Sequence, residues 1–147
     1  MPLDSVEGKW KGDFRYDQGY PLNLQARYVS FTMDLWTKNG MIYGICIDDH
    51  TQKLNIEPAS IVGTFSRNIF KFTKTYPFLL AINENDKPTI IPARASVPVQ
   101  YSGRVRKRLF SSEYYCKGKA SYTVSYLNKM GFEKSHTFWS VWSMKKI

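Results

Sequence analysis

The stretch of sequence that does most to set the fold is VSFTMDLWTKNGMIYGICI, residues 29–47. In its first half, apolar and polar residues alternate strictly, which is typical of a half-buried β-strand. Lys38-Asn39-Gly40 then interrupts the pattern, and an Asn-Gly pair supplies the positive φ angles that a tight hairpin turn requires. The second half is predicted to be the partner strand, with four side chains on its inward face: Met41, Tyr43, Ile45 and Ile47.

The same period of two runs through most of the remaining chain. It predicts six further strands, at residues 9–16, 59–65, 70–76, 97–105, 120–126 and 136–145. A short strand is also predicted at residues 89–91, within a long surface connection that covers residues 77–96. The best helical candidate, residues 22–27, would have about two turns at most. The chain is therefore predicted to be all-β.

The number of consecutive strands, eight to ten, favours a closed sheet. An open sheet of that length would expose one apolar face and two unpaired edges, whereas closure hides the face and removes the edges. We therefore predict a single domain, residues 1–147, folded as an antiparallel up-and-down β-barrel. A two-sheet sandwich is the alternative, because a period of two is common to both architectures.

The composition indicates a globular protein. Apolar residues make up 43% of the chain, charged residues 22% and aromatic residues 16%, which is unlike a disordered or fibrous sequence. No run approaches the roughly 20 apolar residues of a membrane-spanning helix, and the first residues lack the basic and apolar blocks of a signal peptide. The expected compartment is the cytoplasm.

The net charge of +9 is concentrated in the last third of the chain. Residues 99–147 contain ten Lys and Arg against two carboxylates, Glu113 and Glu133, so this segment carries +8. Such a surface attracts phosphates, acidic lipids or an acidic partner. The candidate anion-binding residues are Arg104, Arg106, Lys107 and Arg108, followed by Lys117 and Lys119. Tyr114 and Tyr115 interleave rings with these charges, as surfaces that bind single-stranded nucleic acid do. A basic side without a dedicated partner is the simpler alternative.

Signals for catalysis and metal binding are weak. Cys46 and Cys116 form no C-x-x-C pair, and their apolar surroundings predict buried free thiols. His50 and His136 have no second ligand at a suitable spacing. We expect no metal and no cofactor, and we assign no catalytic residue. Enzymatic activity stays an open alternative, because barrels of this kind host enzymes built from scattered side chains.

A short motif, Gly8-Lys9-Trp10, lies on the first predicted strand. It resembles the Gly-x-Trp opening of the lipocalin, fatty-acid-binding protein and avidin (calycin) group. The chain as a whole most resembles the small, bacterial-type lipocalin-like barrels. The resemblance implies that Trp10 plugs one end of the barrel and that Lys145 or Lys146 packs over its indole ring. It implies a fold and does not identify a ligand.

Aromatic residues are the remaining functional signal. The candidate ligand-binding residues, all on faces predicted to point inward, are Phe14, Tyr16, Phe31, Met33, Tyr43, Tyr101, Tyr122 and Trp142. An eight-stranded barrel is just wide enough to be filled by its own side chains or to hold one small ligand. We therefore predict non-catalytic binding of a small apolar or amphipathic molecule, by a monomer or homodimer, with residues 77–96 at the mouth of the cavity. The alternatives are anion or single-stranded nucleic-acid binding and a filled barrel that acts as a protein-interaction module.

Overall fold

The computed structural model describes residues 2–25, 27–82, 88–91 and 96–147. Its strands are β1 (Gly8–Tyr16), β2 (Tyr28–Lys38), β3 (Met41–Asp48), β4 (Ala59–Ser66), β5 (Ile69–Thr75), β6 (Leu79–Ile82), β7 (Pro88–Ile91), β8 (Val99–Lys107), β9 (Tyr114–Leu127) and β10 (Glu133–Lys146). A 3-10 turn covers Leu3–Val6, and one short helix, α1, covers Asp49–Leu54. Two parts of the predicted surface connection, residues 83–87 and 92–95, lie outside the described residues.

Eight of the strands form a closed antiparallel barrel. Each barrel strand pairs with the next one along the chain, except that β5 pairs with β8, and β1 closes the ring by pairing with β10. The remaining two strands, β6 and β7, form a separate hairpin between β5 and β8, and β7 contacts α1. The predicted all-β, up-and-down barrel is confirmed, and the sandwich alternative is wrong.

The hairpin predicted at residues 29–47 is present, but the inward face of β3 is not the predicted one. The turn places Lys38 opposite Met41 and Leu35 opposite Gly44. Residues directly opposite each other point to the same side of a sheet. Because Leu35 is buried, β3 turns Ile42, Gly44, Cys46 and Asp48 inward, whereas Tyr43 is half-buried on the outer face and Ile45 is 39% exposed. Apolar residues occupy both faces of β3, so its own pattern was ambiguous.

Two local predictions about helices are also corrected. Residues 22–25 form a turn in which the backbone N–H groups of Leu24 and Gln25 donate to the carbonyl of Pro21. The short helix lies instead at α1, where the Asp48 side chain accepts from the Thr51 N–H and the Thr51 side chain accepts from the Asp48 N–H. This reciprocal cap satisfies two donors at the helix start. Asn55, in the left-handed conformation, ends the helix.

One end of the barrel is filled. Trp10 is fully buried, and its indole N–H donates to the carbonyl of Val6, 2.8 Å away, in the 3-10 turn that lies across this end. The Lys146 ammonium donates to the carbonyl of Ser5 and lies 5.6 Å from the ring centroid of Tyr114. The cation–π contact of Lys146 is therefore with Tyr114, whereas the resemblance implied that Lys145 or Lys146 packs over the ring of Trp10.

At the other end, β9 and β10 extend past the barrel. Ser121 is the last residue of β9 that pairs with β8, and Ser140 marks the corresponding limit of the pairing between β10 and β1. Beyond these residues the two strands pair only with each other within the sheet. The His136 side chain bonds the carbonyl of Gly19, with Nε2 and O 2.7 Å apart. This contact attaches the connection between β1 and β2 to the extended hairpin, above the open end of the barrel.

Candidate functional site

A cavity of about 440 Å³ opens at the end of the barrel opposite Trp10. Its walls come from the ends of β1, β8, β9 and β10, and its mouth is bordered by the β1–β2 connection, α1 and the β6–β7 hairpin. The lining residues are Phe14, Tyr16, Tyr20, Pro21, Leu24, His50, Tyr76, Leu79, Ile91, Ser96, Val97, Val99, Tyr101, Ser121, Tyr122, Val124, Phe138 and Ser140. Rings and small hydroxyls dominate this surface, and among the described residues that line it none is a Lys, Arg, Asp or Glu.

The structure divides the predicted ligand-binding residues into three groups. Phe14, Tyr16, Tyr101 and Tyr122 line the cavity. Phe31, Met33 and Trp142 are buried in the core below it. Tyr43 lies on the outer face of β3, because the hairpin register turns the other face of that strand inward. The prediction that Tyr43 lies inside the barrel is therefore wrong.

Tyr16 and His50 form a hydrogen-bonded pair in the cavity wall. No signal in the sequence indicated that these two side chains meet. The Tyr16 hydroxyl and His50 Nε2 are 2.6 Å apart, and His50 is 8% exposed. Burial lowers the pKa of His50, with Lys74 and Lys53 acting in the same direction against the carboxylate of Asp48. The imidazole is therefore neutral near pH 7. Its second nitrogen, Nδ1, is buried and has no hydrogen-bond partner among the described residues.

Beneath the wall lies a buried ion pair between Lys74 and Asp48, with Nζ and Oδ2 2.9 Å apart. The Tyr76 hydroxyl donates to the same carboxylate oxygen. Lys74 Nζ also lies 4.6 Å from the ring centroid of Tyr76 and 4.9 Å from that of Phe14. These contacts hold both charges in place under the aromatic wall, so the pair contributes no net charge to the cavity.

Burial alone would favour the neutral forms of both partners, but their surroundings outweigh it. The pKa of Asp48 is lowered overall, because the Lys74 charge and hydrogen bonds from Tyr76 and Thr51 stabilise the carboxylate. The pKa of Lys74 is raised well above its usual value, and near pH 7 the ionised side chain among those that raise it is Asp48, 2.9 Å away. Both groups are therefore charged across the physiological range.

The cavity tyrosines stay protonated. Burial raises the pKa of Tyr101 to about 12 and raises those of Tyr20, Tyr76 and Tyr122 as well. The hydroxyls of Tyr20 and Tyr122 are 3.5 Å apart, which is the outer limit of a hydrogen bond. These phenols therefore carry no charge, and each can donate a hydrogen bond to a guest or accept one from it.

Both cysteines are buried and free, as the sequence predicted. Burial raises the pKa of Cys46 to about 11 and that of Cys116 to about 12, so neither forms a thiolate near pH 7. No three His, Cys, Asp or Glu side chains among the described residues come together to hold a metal ion. Within the same residues, no helix has the length and apolar character needed to cross a membrane.

The predicted anion-binding residues do not form one compact site. Arg104 and Arg106 are exposed on the outer face of β8. Lys107 lies at the end of that strand, with Nζ 5.9 Å from the ring centroid of Tyr114. Arg108 forms an exposed ion pair with Glu113, at 3.2 Å. The register places Lys117 and Tyr115 of β9 opposite Arg104 and Arg106.

Sequence reasoning missed Tyr20, Tyr76, His50 and Phe138 as cavity residues, and it missed the Asp48–Lys74 pair. Lys74 follows Phe70 and Phe72 at the same period of two, so its inward position was available from the pattern. His50 could not be found in this way, because it lies on α1, outside the alternating strands. No protein-family model matches the chain, and no curated protein is significantly similar to it.

Proposed function

We propose that the barrel binds a small, neutral, amphipathic molecule in the open-end cavity. The observation that carries the proposal is a cavity of about 440 Å³ whose described lining combines rings and hydroxyls with no Lys, Arg, Asp or Glu. This volume is within the range of small-molecule sites, which are mostly apolar with a few polar groups that orient the guest. The cavity also argues against the alternative of a barrel filled throughout.

A lining whose described residues carry no charge favours a neutral guest. A carboxylate moved into this cavity would lose hydration, and burying an ion without a partner is far more costly than burying a hydroxyl. Lys74 is the nearest candidate for a counter-ion, but it is 1% exposed and already paired with Asp48. Fatty acids in their ionised form should therefore bind poorly.

Hydrogen-bonding groups would orient the polar end of the guest. His50 has a buried nitrogen without a partner, and a buried polar group gains free energy when a ligand supplies one. The phenols of Tyr20 and Tyr122 are held too far apart for a strong mutual bond. A hydroxyl, carbonyl or amide on the guest could satisfy these groups while its apolar part contacts the rings of Phe14 and Phe138.

The test is competition for a neutral hydrophobic dye, Nile red, by dodecanol and by dodecanoate at neutral pH. We expect the alcohol to displace the dye with an affinity at least about tenfold higher than that of the carboxylate, a difference of about 1.4 kcal/mol. Equal affinities would contradict the neutral-guest assignment. Failure of the alcohol to displace the dye would contradict the proposal as a whole.

A filled cavity supplies the matched control. Ser140→Trp places a large ring in the lining and should abolish dodecanol binding, whereas Ser125→Trp adds the same ring at an exposed position of β9 and should leave binding unchanged. Unchanged binding in Ser140→Trp would show that the guest lies elsewhere.

We also propose kinship with the lipocalin group, supported by Gly8-Lys9-Trp10 at the start of a closed eight-stranded barrel.

A further inference from the structure

The outer surface of four adjacent strands, β1, β10, β9 and β8, carries a concentration of positive charge. We call this surface the basic wall and define it by its exposed cations: Lys11, Lys145, Lys117, Lys119, Arg104 and Arg106. Two of these residues come from opposite ends of the chain, and only the closure of the barrel between β1 and β10 brings them together. The wall is thus wider than the linear cluster at residues 104–108.

The strand register places like charges directly opposite each other. Lys11 is paired with Lys145, and Lys117 is paired with Arg104. Side chains at such positions are about 5 Å apart at Cβ, and like charges there destabilise a sheet. Within these four strands, all of whose residues are described, the outward carboxylates are Asp13 and, at the far end of the extended hairpin, Glu133. The positive charge of the wall is therefore largely uncompensated by carboxylates of these four strands.

A depression of about 620 Å³ lies in this wall. Lys11, Lys117 and Lys145 line it, together with Asp13 and with the ion pair of Arg108 and Glu113. The half-buried ring of Tyr115 also lines it, and the register places Tyr115 between Lys145 and Arg106. The depression thus combines an aromatic ring with three lysines that have no carboxylate opposite them in the ladder.

We propose that the basic wall binds single-stranded nucleic acid, with phosphates along the cations and a base against Tyr115. Proteins that bind single strands without strong sequence preference combine a positive groove with aromatic stacking positions. Duplex DNA is read by an element that enters a groove, whereas the cations of the wall lie on the parts of the four strands that are paired within the barrel and not on the extension of β9 and β10. An anionic bilayer could bind the same cations, and the exposed side chains of Leu109 and Phe110 at the neighbouring turn could insert into it. A flat bilayer surface would not contact the ring of Tyr115, because this ring lies inside the depression.

The primary experiment measures binding of a labelled single-stranded DNA of about 16 nucleotides by fluorescence anisotropy, from about 50 mM to about 200 mM salt. The wall variant is Lys11→Gln/Lys117→Gln/Lys145→Gln. The control variant, Lys53→Gln/Lys129→Gln/Lys134→Gln, removes the same net charge from exposed lysines that are not on the wall. We expect the wall variant to bind at least about tenfold more weakly and to lose about two units of salt slope, while the control changes less than about twofold. Equal losses would overturn the proposal, because net charge alone would then explain binding.

A second variant distinguishes a nucleic acid from other polyanions. Tyr115→Leu should weaken DNA binding about fivefold or more and leave binding of inorganic polyphosphate unchanged. Equal effects on both probes, or no effect on DNA, would overturn the assignment to nucleic acid. Binding to phosphatidylserine vesicles without binding to DNA would overturn it in favour of a bilayer.

Folding of the wall variant is checked by its melting temperature. Removing two like-charge pairs should not lower that temperature, since the pairs oppose folding. If the triple variant fails to fold, Lys117→Gln alone is compared with Lys129→Gln, and a loss confined to Lys117→Gln supports the proposal. Equal binding of these two single variants overturns it.

Discussion

The two ends of the barrel are built from the same alternating strands, yet one is filled and the other is hollow. Between the Trp10 end and the cavity, large rings fit because glycines on neighbouring strands let them approach the backbone. A Cβ at Gly103 would lie 2.6 Å from the Trp142 ring, and one at Gly63 would lie 2.6 Å from Cβ of Phe72. Pairing small with large residues fills a barrel interior. At the open end the lining has no glycine, and the rings line a space without filling it.

The polar groups differ between the ends in the same way. At the filled end the Trp10 indole N–H and the Lys146 ammonium each donate to a backbone carbonyl, whereas the open end has a buried ion pair, a tyrosine–histidine pair and further phenols. Buried polar groups need partners, which they find either in the protein or in a guest. This contrast supports the proposal that a guest binds at the open end and not at the filled one.

The largest expected effect compares one ring from each end. Trp10→Ala should lower the free energy of unfolding by about 3–5 kcal/mol, because it leaves a cavity where the indole is fully buried. Phe138→Ala should cost clearly less, since Phe138 is half-buried beside an existing cavity. Urea denaturation of both variants measures the difference, and equal losses would show that the open end is packed as tightly as the filled one.

The next effect concerns the ion pair. Lys74→Met should destabilise the protein by about 3 kcal/mol, because Asp48 is left buried without its counter-ion. Adding Asp48→Asn to Lys74→Met removes the orphaned charge and should recover part of the loss, while Lys71→Met, at an exposed position of the same strand, should be nearly neutral. No recovery in the double variant would mean that the loss comes from packing of the lysine stem.

A smaller effect is the pH dependence of stability that His50 produces. Its pKa is lowered on folding, so the unfolded chain takes up a proton near its own pKa of about 6.5 while the folded protein does not. The contribution of His50 to the free energy of unfolding is therefore fully present above about pH 6.5. Below that pH the free energy of unfolding falls by at most about 1.4 kcal/mol per pH unit. His50→Gln should flatten this dependence in denaturation series at several pH values. His136→Gln, at an exposed position, is the control, and an identical change in both variants would contradict the assignment.

The smallest effect is expected at a cavity hydroxyl. Tyr122→Phe should change the free energy of unfolding by less than about 0.5 kcal/mol, because its only hydrogen bond in the described structure, to Tyr20, is 3.5 Å long. The same variant should weaken dodecanol binding if this hydroxyl contacts the guest. Thermal unfolding and dye competition measure the two properties separately, and a large loss of stability would show that the hydroxyl is structural.

The barrel and most of its inward residues could be predicted from alternation alone, because a side chain every second residue must face one side of a strand. Tyr16 and Tyr101 were assigned correctly to the interior in this way. Tyr43 was not, since both faces of β3 are apolar and only the pairing with β2 decides which one points inward. Lys74 was overlooked because a charged side chain inside a barrel is expected only when a partner is known.

The sequence by itself determined that this chain forms antiparallel strands, since period and turn chemistry are local properties, and the number of strands favoured their closure into a barrel. Only the tertiary structure decided that Asp48 meets Lys74, that His50 meets Tyr16 and that Lys11 lies beside Lys145. Each of these pairs joins residues far apart in the chain. Their contact depends on strand register and on where the ring closes, and alternation within one strand carries no information about either.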